Sequence, residues 1–193
     1  MRILNIGGGP KGTYMPLFYR EHEVVFLDID PTWEPDIQAD IRDLGTLPAG
    51  EYDGVYGSHI LEHVAPHDLR KVLAGVHHVL KDSGFVDVRV PDVGAVIQAI
   101  SQNGGDLFTF LYDTGHYKIA ARDVLWGYAP FVEQYGDCQA HRNGFTEESL
   151  QQALIESGFQ AVYSLASHFE VRAVASAQRM NPTLLDQLWR GVR

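Results

Sequence analysis

The sequence predicts an α/β fold, a doubly wound and mostly parallel seven-stranded sheet with helices on both faces and an aromatic-rich insertion after the fifth strand. Three observations carry that reading. Segments of strand and helix character alternate along the chain, as in repeated βαβ units. An apolar strand runs directly into a glycine-rich turn, LNIGGGPKG at Leu4–Gly12. A second apolar strand then ends in a carboxylate, FLDIDP at Phe26–Pro31.

Arg2–Ile6 reads as the first strand and Val24–Asp28 as the second. A short third strand is expected around Ile37–Ile41, and Tyr52–Gly57 makes the fourth. Within His67–Lys81 the apolar residues Leu69, Val72, Leu73, Val76, Val79 and Leu80 recur at helical spacing, and Ser83–Gly84 break the helix. Phe85–Val90 forms the fifth strand, stopped by Pro91. Asp92 can cap a helix that runs through Val96, Ile97 and Ile100 to Gln102. From Asn103 to Asn143 the regularity fails, and glycines interleave with Phe108, Phe110, Tyr112, Tyr117, Trp126, Tyr128, Phe131 and Tyr135. That stretch is too aromatic for a disordered linker, and a long insertion of this kind is a functional cap or a subunit contact. Thr146, followed by Glu147, Glu148 and Ser149, restarts a helix with a capping-box pattern that Gly158 ends. Phe159–Ala166 and His168–Ala177 read as a terminal strand pair, and the tail from Gln178 as a short helix or a frayed end.

The 193 residues suit a single domain over 1–193, with the insertion or cap at 104–143. A net charge of −10 with no run of Lys or Arg argues against a nucleic-acid partner. No apolar stretch approaches the roughly 20 residues that span a bilayer. Met1 leads almost directly into a strand, which leaves no room for a signal peptide. The single cysteine, Cys138, rules out an internal disulfide and a multi-cysteine metal site. A cytoplasmic location is the default expectation.

Glycine lets the backbone approach a ligand where any Cβ would clash. A carboxylate at the tip of the next strand can accept hydrogen bonds from both hydroxyls of a ribose. Together these make a cradle for an adenosine-containing cofactor at the mouth of a parallel sheet. Read strictly, Gly7, Gly9 and Gly12 spell GxGxxG with Asp28 at the dinucleotide distance. Glycines that merely close a βα turn would look the same.

Three further stretches decide between cofactors: ADIRDL at Ala39–Leu44, YDGVYGSHILEHV at Tyr52–Val64, and HHVLKDSGFVDVRVPD at His77–Asp92. With them the chain resembles the seven-stranded, class I S-adenosylmethionine-dependent methyltransferases, in particular the small type 11 group of predicted bacterial methyltransferases. The resemblance covers Leu4 to Pro91 and resumes at His141–Phe159 (HRNGFTEESLQQALIESGF). It implies that Gly7 and Gly9 pack under the methionine part of the cofactor and that Asp28 binds the ribose hydroxyls. It also implies that Asp40 and the backbone of Ile41 meet the adenine, and that Ser58 and His59 line the methionine side. Two departures stand out. Asn5 occupies the position of the acid that usually opens the first motif, and Pro10–Lys11 replace a small residue–glycine pair. They motivate the alternative of a non-catalytic cofactor binder. A nicotinamide-dependent oxidoreductase is the other alternative, counted against by the chain's modest length and the lack of a recognisable Tyr–xxx–Lys pair.

HILEH at His59–His63 spells HxxEH, a metal-binding pattern in some helical peptidases that needs a long helix. Some quinone-type methyltransferases hold a divalent metal with a similar acid–histidine turn. Here the motif follows a strand and Pro66 comes close behind, so Leu61 is expected to pack inward while Glu62 and His63 shape the loop edge, with no metal ligands assigned. A hydroxyl acceptor must lose its proton before methyl transfer, and histidine suits that task. His63 is the candidate base and His59 has a positioning role. His116 and His141 could reach the site from the insertion. Many methyltransferases of this fold cover the cofactor with helices before the first strand; here the insertion is the expected cover. Tyr112, His116, Tyr117, Trp126 and Tyr128 would then wall the pocket of a small-molecule acceptor, with Arg142 holding a carboxylate or phosphate on it. The same aromatics could instead form a secondary core or a homodimer face.

Overall fold

The computed structural model describes residues 1–9 and 15–190. The first five strands are β1 (Arg2–Ile6), β2 (Glu23–Asp28), β3 (Ile37–Gln38), β4 (Tyr52–Ser58) and β5 (Leu80–Pro91). A separate hairpin pairs β6 (Phe110–Asp113) with β7 (Lys118–Ala120), and β8 (Ala161–Ser167) and β9 (Glu170–Ser176) close the chain of strands. The main sheet has seven strands in the order β3-β2-β1-β4-β5-β9-β8. The first five are parallel, β9 runs antiparallel to β5, and β8 antiparallel to β9. Strand order reverses between β1 and β4, and the loops beyond their carboxyl ends part to leave a crevice, the ligand position in open α/β sheets.

Helices lie on both faces. On one face α2 (Pro66–Val79) and α6 (Glu147–Glu156) cover a core that includes Leu4, Ile6, Val86, Val88, Val72 and Leu150. The predicted apolar stripe of α2 is buried, with Val72, Val76 and Val79 at 0% exposure. Each such aliphatic side chain contributes about 1.5–3 kcal/mol relative to exposure. On the other face α1 (Leu17–Arg20) and α7 (Pro182–Trp189) pack Tyr19 and Leu188 against Ile3, Tyr56 and Phe85. Asp87 and Arg172 are buried in that layer and paired through two bonds of 2.8 and 2.7 Å, with the Tyr19 hydroxyl donating to the same carboxylate. The remaining helices are α3 (Val93–Gln102), α4 (Ala121–Trp126) and α5 (Ala129–Tyr135). No helix among the described residues is long and apolar enough to cross a membrane.

The expected caps form: Asp92 accepts from Ala95 N, and Thr146 exchanges bonds with Ser149. Some boundaries differ. The second helix stops at Val79, because Leu80 pairs with Tyr52 as a strand residue, and Ser83–Gly84 fall in the bulge where the register shifts. The third strand is two residues long, because Asp40 caps a 3-10 turn over Ile41–Thr46 by accepting from Arg42 N. The terminal hairpin turns through His168 and Phe169, both at positive φ, the two-residue geometry that matches strand twist. The tail folds as α7.

The insertion's α4 and β6–β7 hairpin share a small core with α3 around Val96, Ala121 and Val124. The returning limb is stitched to the turn after β4: the N–H groups of Arg142 and Asn143 both donate to the Glu62 carbonyl, at 2.7 and 3.0 Å.

Candidate active site

Two cavities open at the crevice. The first, of about 260 Å³, is lined by Gly7, Asp28, Asp40 and Ile41 from the parallel half of the sheet, and by His63 and Arg142. Gly7 has φ +66° and donates its N–H to the Leu27 carbonyl at 2.9 Å; a Cβ there would meet the Ile60 side chain at 2.4 Å. Gly9 has φ +57°, and a Cβ there would meet nothing within 4 Å among the described residues. Its N–H donates to Asp28 Oδ2, and Asp30 N–H to Asp28 Oδ1, both at 3.0 Å. Each carboxylate oxygen carries about two lone pairs, so each has one left for a ligand hydroxyl. Asp40 is more committed. It accepts from Arg42 N at 2.8 Å and from Arg42 Nε at 2.9 Å, and the guanidinium holds its carboxyl below the ordinary value. Gly12 and Pro10–Lys11 lie outside the described residues.

The second cavity, of about 490 Å³, lies on the other side of the turn after β4. Tyr112, Tyr128 and Phe131 from the insertion and Phe169 from the β8–β9 turn supply aromatic wall, with Tyr112 stacked on Phe169 at 6.1 Å. His59, Glu62, His63, His141 and Glu170 supply the polar side. His63 lines both cavities.

His59 sits at φ +53° with Nδ1 3.1 Å from Glu62 and Nε2 3.1 Å from Glu170. Burial alone would lower its pKa, but the bonds to Glu170 and Glu62 outweigh that and raise it to about 10. Solvent reaches 49% of the side chain, which moderates the shift without reversing it. His59 is therefore an imidazolium strut between two carboxylates, which fits positioning and leaves it no lone pair for base work. Glu170 is held below its ordinary pKa: burial pushes upward, and the His59 bond pulls it down further. His63 behaves oppositely, since burial lowers its pKa and keeps the ring neutral at pH 7. Its Nδ1 lies 3.2 Å from the Ala140 carbonyl, and His141 Nδ1 lies 2.7 Å from the Val124 carbonyl.

Several placements depart from expectation. Leu61 packs inward, but Glu62 does so too, at 1% exposure, because it is covered by the returning limb of the insertion. Arg142 lines the first cavity and not the second. His116 stands exposed at the hairpin tip, and Tyr117 packs behind the wall against Tyr128 and Phe131. Trp126 is 57% exposed beside a separate cleft with Phe108. Ser58 ends β4 and borders neither cavity. Asn5 is buried, its amide directed to the Met15 sulfur at 3.4 Å. Glu170 escaped sequence reading because it lies 111 residues from its partner His59.

A family model described as a methyltransferase domain matches residues 1–164. The chain belongs to that family. The resemblance to class I S-adenosylmethionine-dependent methyltransferases is thereby borne out, and with it the cofactor. No curated protein matches this methyltransferase in sequence. Its fold is shared by an S-adenosylmethionine-dependent methyltransferase from Archaeoglobus fulgidus, at 18% identity and TM-score 0.57, covering 90% of this chain and 85% of that one. It is shared by the 1,6-didemethyltoxoflavin-N1-methyltransferase of Burkholderia thailandensis, solved with bound 1,6-didemethyltoxoflavin and S-adenosylhomocysteine, at 15% identity and TM-score 0.57, covering 93% and 71%. Human N-acetylserotonin methyltransferase, solved with S-adenosylmethionine, is similar at 16% identity and TM-score 0.57, covering 92% and 48%. The methyltransferase's first cavity fits the adenosyl group chemically: open space above Gly9, free lone pairs on Asp28, and an apolar rim of Ile41 and Ile60.

Proposed function

We propose that the chain transfers a methyl group from S-adenosylmethionine to a small-molecule acceptor held in the second cavity, with a hydroxyl oxygen as the favoured acceptor atom. The observation that carries this reading is the position of His63, which borders both cavities while remaining neutral. S-adenosylmethionine, when bound, supplies a methyl group activated on a sulfonium. Gly9 leaves room for the cofactor chain, Gly7 lets Ile60 pack against the turn beneath it, and Asp28 accepts from its ribose. Asp40, already tied to Arg42, has at most a shared role at the adenine.

Proximity and alignment supply much of the acceleration in such a displacement. The aromatic wall of Tyr112, Tyr128 and Phe131 orients the acceptor and excludes water. A hydroxyl must also shed its proton. A neutral His63 that donates Nδ1–H to the Ala140 carbonyl keeps its Nε2 lone pair for that purpose. His59 braces Glu62 and Glu170 around it.

Release of S-adenosylhomocysteine, measured across matched panels of hydroxyl, amine and carbon-acid acceptors, tests the proposal. Turnover confined to hydroxyl acceptors and lost in His63→Ala is the expected result. Turnover only on amines would overturn the choice of acceptor atom. Cofactor binding with no turnover on any panel would favour a non-catalytic binder, the reading that Asn5 in place of the usual acid motivates.

A further inference from the structure

We propose that Glu62, His63 and His141 bind a divalent transition-metal ion of the zinc class on the wall between the two cavities. One donor atom from each of the three lies within 4.8 Å of the others. The residues come from two distant segments, the turn after β4 and the returning limb of the insertion. The paired N–H donations from Arg142 and Asn143 to the Glu62 carbonyl fix those segments together.

More than proximity supports the site. The Glu62 side chain is 1% exposed, its Oε1 faces His59 Nδ1, and its Oε2 has no hydrogen-bond partner among the described residues. A buried carboxylate oxygen without a donor is costly, and a cation beside it removes the cost. Each histidine also has Nδ1 against a backbone carbonyl, Ala140 for His63 and Val124 for His141. Outer bonds of that kind fix the tautomer and the ring orientation of metal-binding histidines, leaving Nε2 as the ligand. The two rings stand 5.0 Å apart, edge to face.

Two imidazoles and one carboxylate with an open fourth position suit zinc. Metal–donor bonds of about 2.1 Å would set the donors roughly 3.4 Å apart, so binding draws the side chains inward by rotation. All three residues line the acceptor cavity, so the open position faces the acceptor. An ion there would polarise an acceptor hydroxyl as a Lewis acid and lower its pKa, so that its proton passes to solvent water before the oxygen takes the methyl group, with His63 serving as ligand in place of direct proton acceptor. That role deepens the methyl-transfer reading and rests on it, whereas binding of the ion does not. The sequence reading assigned no metal ligands, although it noted that a similar acid–histidine turn holds a divalent metal in some quinone-type methyltransferases.

Tag-free protein, stripped with a chelator and free of cofactor, is titrated calorimetrically with zinc chloride, and the cobalt(II) form is examined by visible absorption. The expected result is one equivalent bound, with affinity reduced by at least about tenfold in both Glu62→Gln and His141→Ala and unchanged in the exposed-site control His67→Ala. Wild-type protein should give cobalt bands of four- or five-coordinate strength. Absence of binding, or affinity kept within about threefold in either ligand variant, overturns the proposal. Should His141→Ala fail to fold, Glu62→Gln, nearly isosteric, and the cobalt spectrum decide it. A parallel titration with S-adenosylhomocysteine tells failure of the metal site from failure of the methyltransferase reading.

Discussion

Asp28→Ala removes both carboxylate oxygens from the end of β2, where each already holds one backbone donor and offers one lone pair to the cavity. If the two ribose hydroxyls use those lone pairs, two charge-assisted hydrogen bonds are lost at about 1.5–3 kcal/mol each. The sum, roughly 3–6 kcal/mol, weakens S-adenosylhomocysteine by about 10²–10⁴-fold. Part of the loss comes from the freed Gly9 and Asp30 N–H groups, so Asp28→Asn serves as the partner variant. It keeps the shape and one acceptor oxygen, and about 10–100-fold weakening is expected. Isothermal titration gives the affinities, and thermal melts check that both variants fold. Binding of Asp28→Ala within about threefold of wild type, with an unchanged melt, would refute the cradle.

Other perturbations probe different layers. Gly7→Ala forces a Cβ into the left-handed region at 2.4 Å from Ile60. At about 1–2 kcal/mol the melting temperature should fall by roughly 2–8 °C, read by calorimetry, with weaker cofactor binding. Arg172→Ala leaves the Asp87 carboxylate buried without its counter-charge, held only by the Tyr19 hydroxyl, and releases the Leu188 carbonyl that ties down α7. Urea denaturation should show a loss of about 3–5 kcal/mol, and a loss under about 1 kcal/mol would mean that Asp87 finds another partner. His63→Ala should lower kcat by about 10²–10⁴-fold while S-adenosylhomocysteine still binds, which stopped assays and titration separate.

Much of the fold was legible because it rests on local signals. The βα alternation, the Asp92 and Thr146 caps and the apolar stripe of α2 all appear as expected. The lining of the first cavity was legible for the same reason, since Gly7 and Asp28 come from short-range strand–turn patterns. The second cavity was not. Its wall depends on how the insertion folds back, and aromatic content does not say which ring faces inward: Tyr112 and Tyr128 line the cavity, while Trp126 turns to solvent. Two conclusions needed long-range contacts. His59 is spent between Glu62 and Glu170, and Glu62 is sealed under residues 142 and 143. No spacing in the sequence records either.

Titration calorimetry of the wild-type protein with S-adenosylhomocysteine, run beside NAD and NADP, tests S-adenosylmethionine as the cofactor most directly. One equivalent of S-adenosylhomocysteine bound, with no heat from either nicotinamide cofactor, is the predicted result. Binding of NAD or NADP, or no binding of S-adenosylhomocysteine by folded protein, would contradict it.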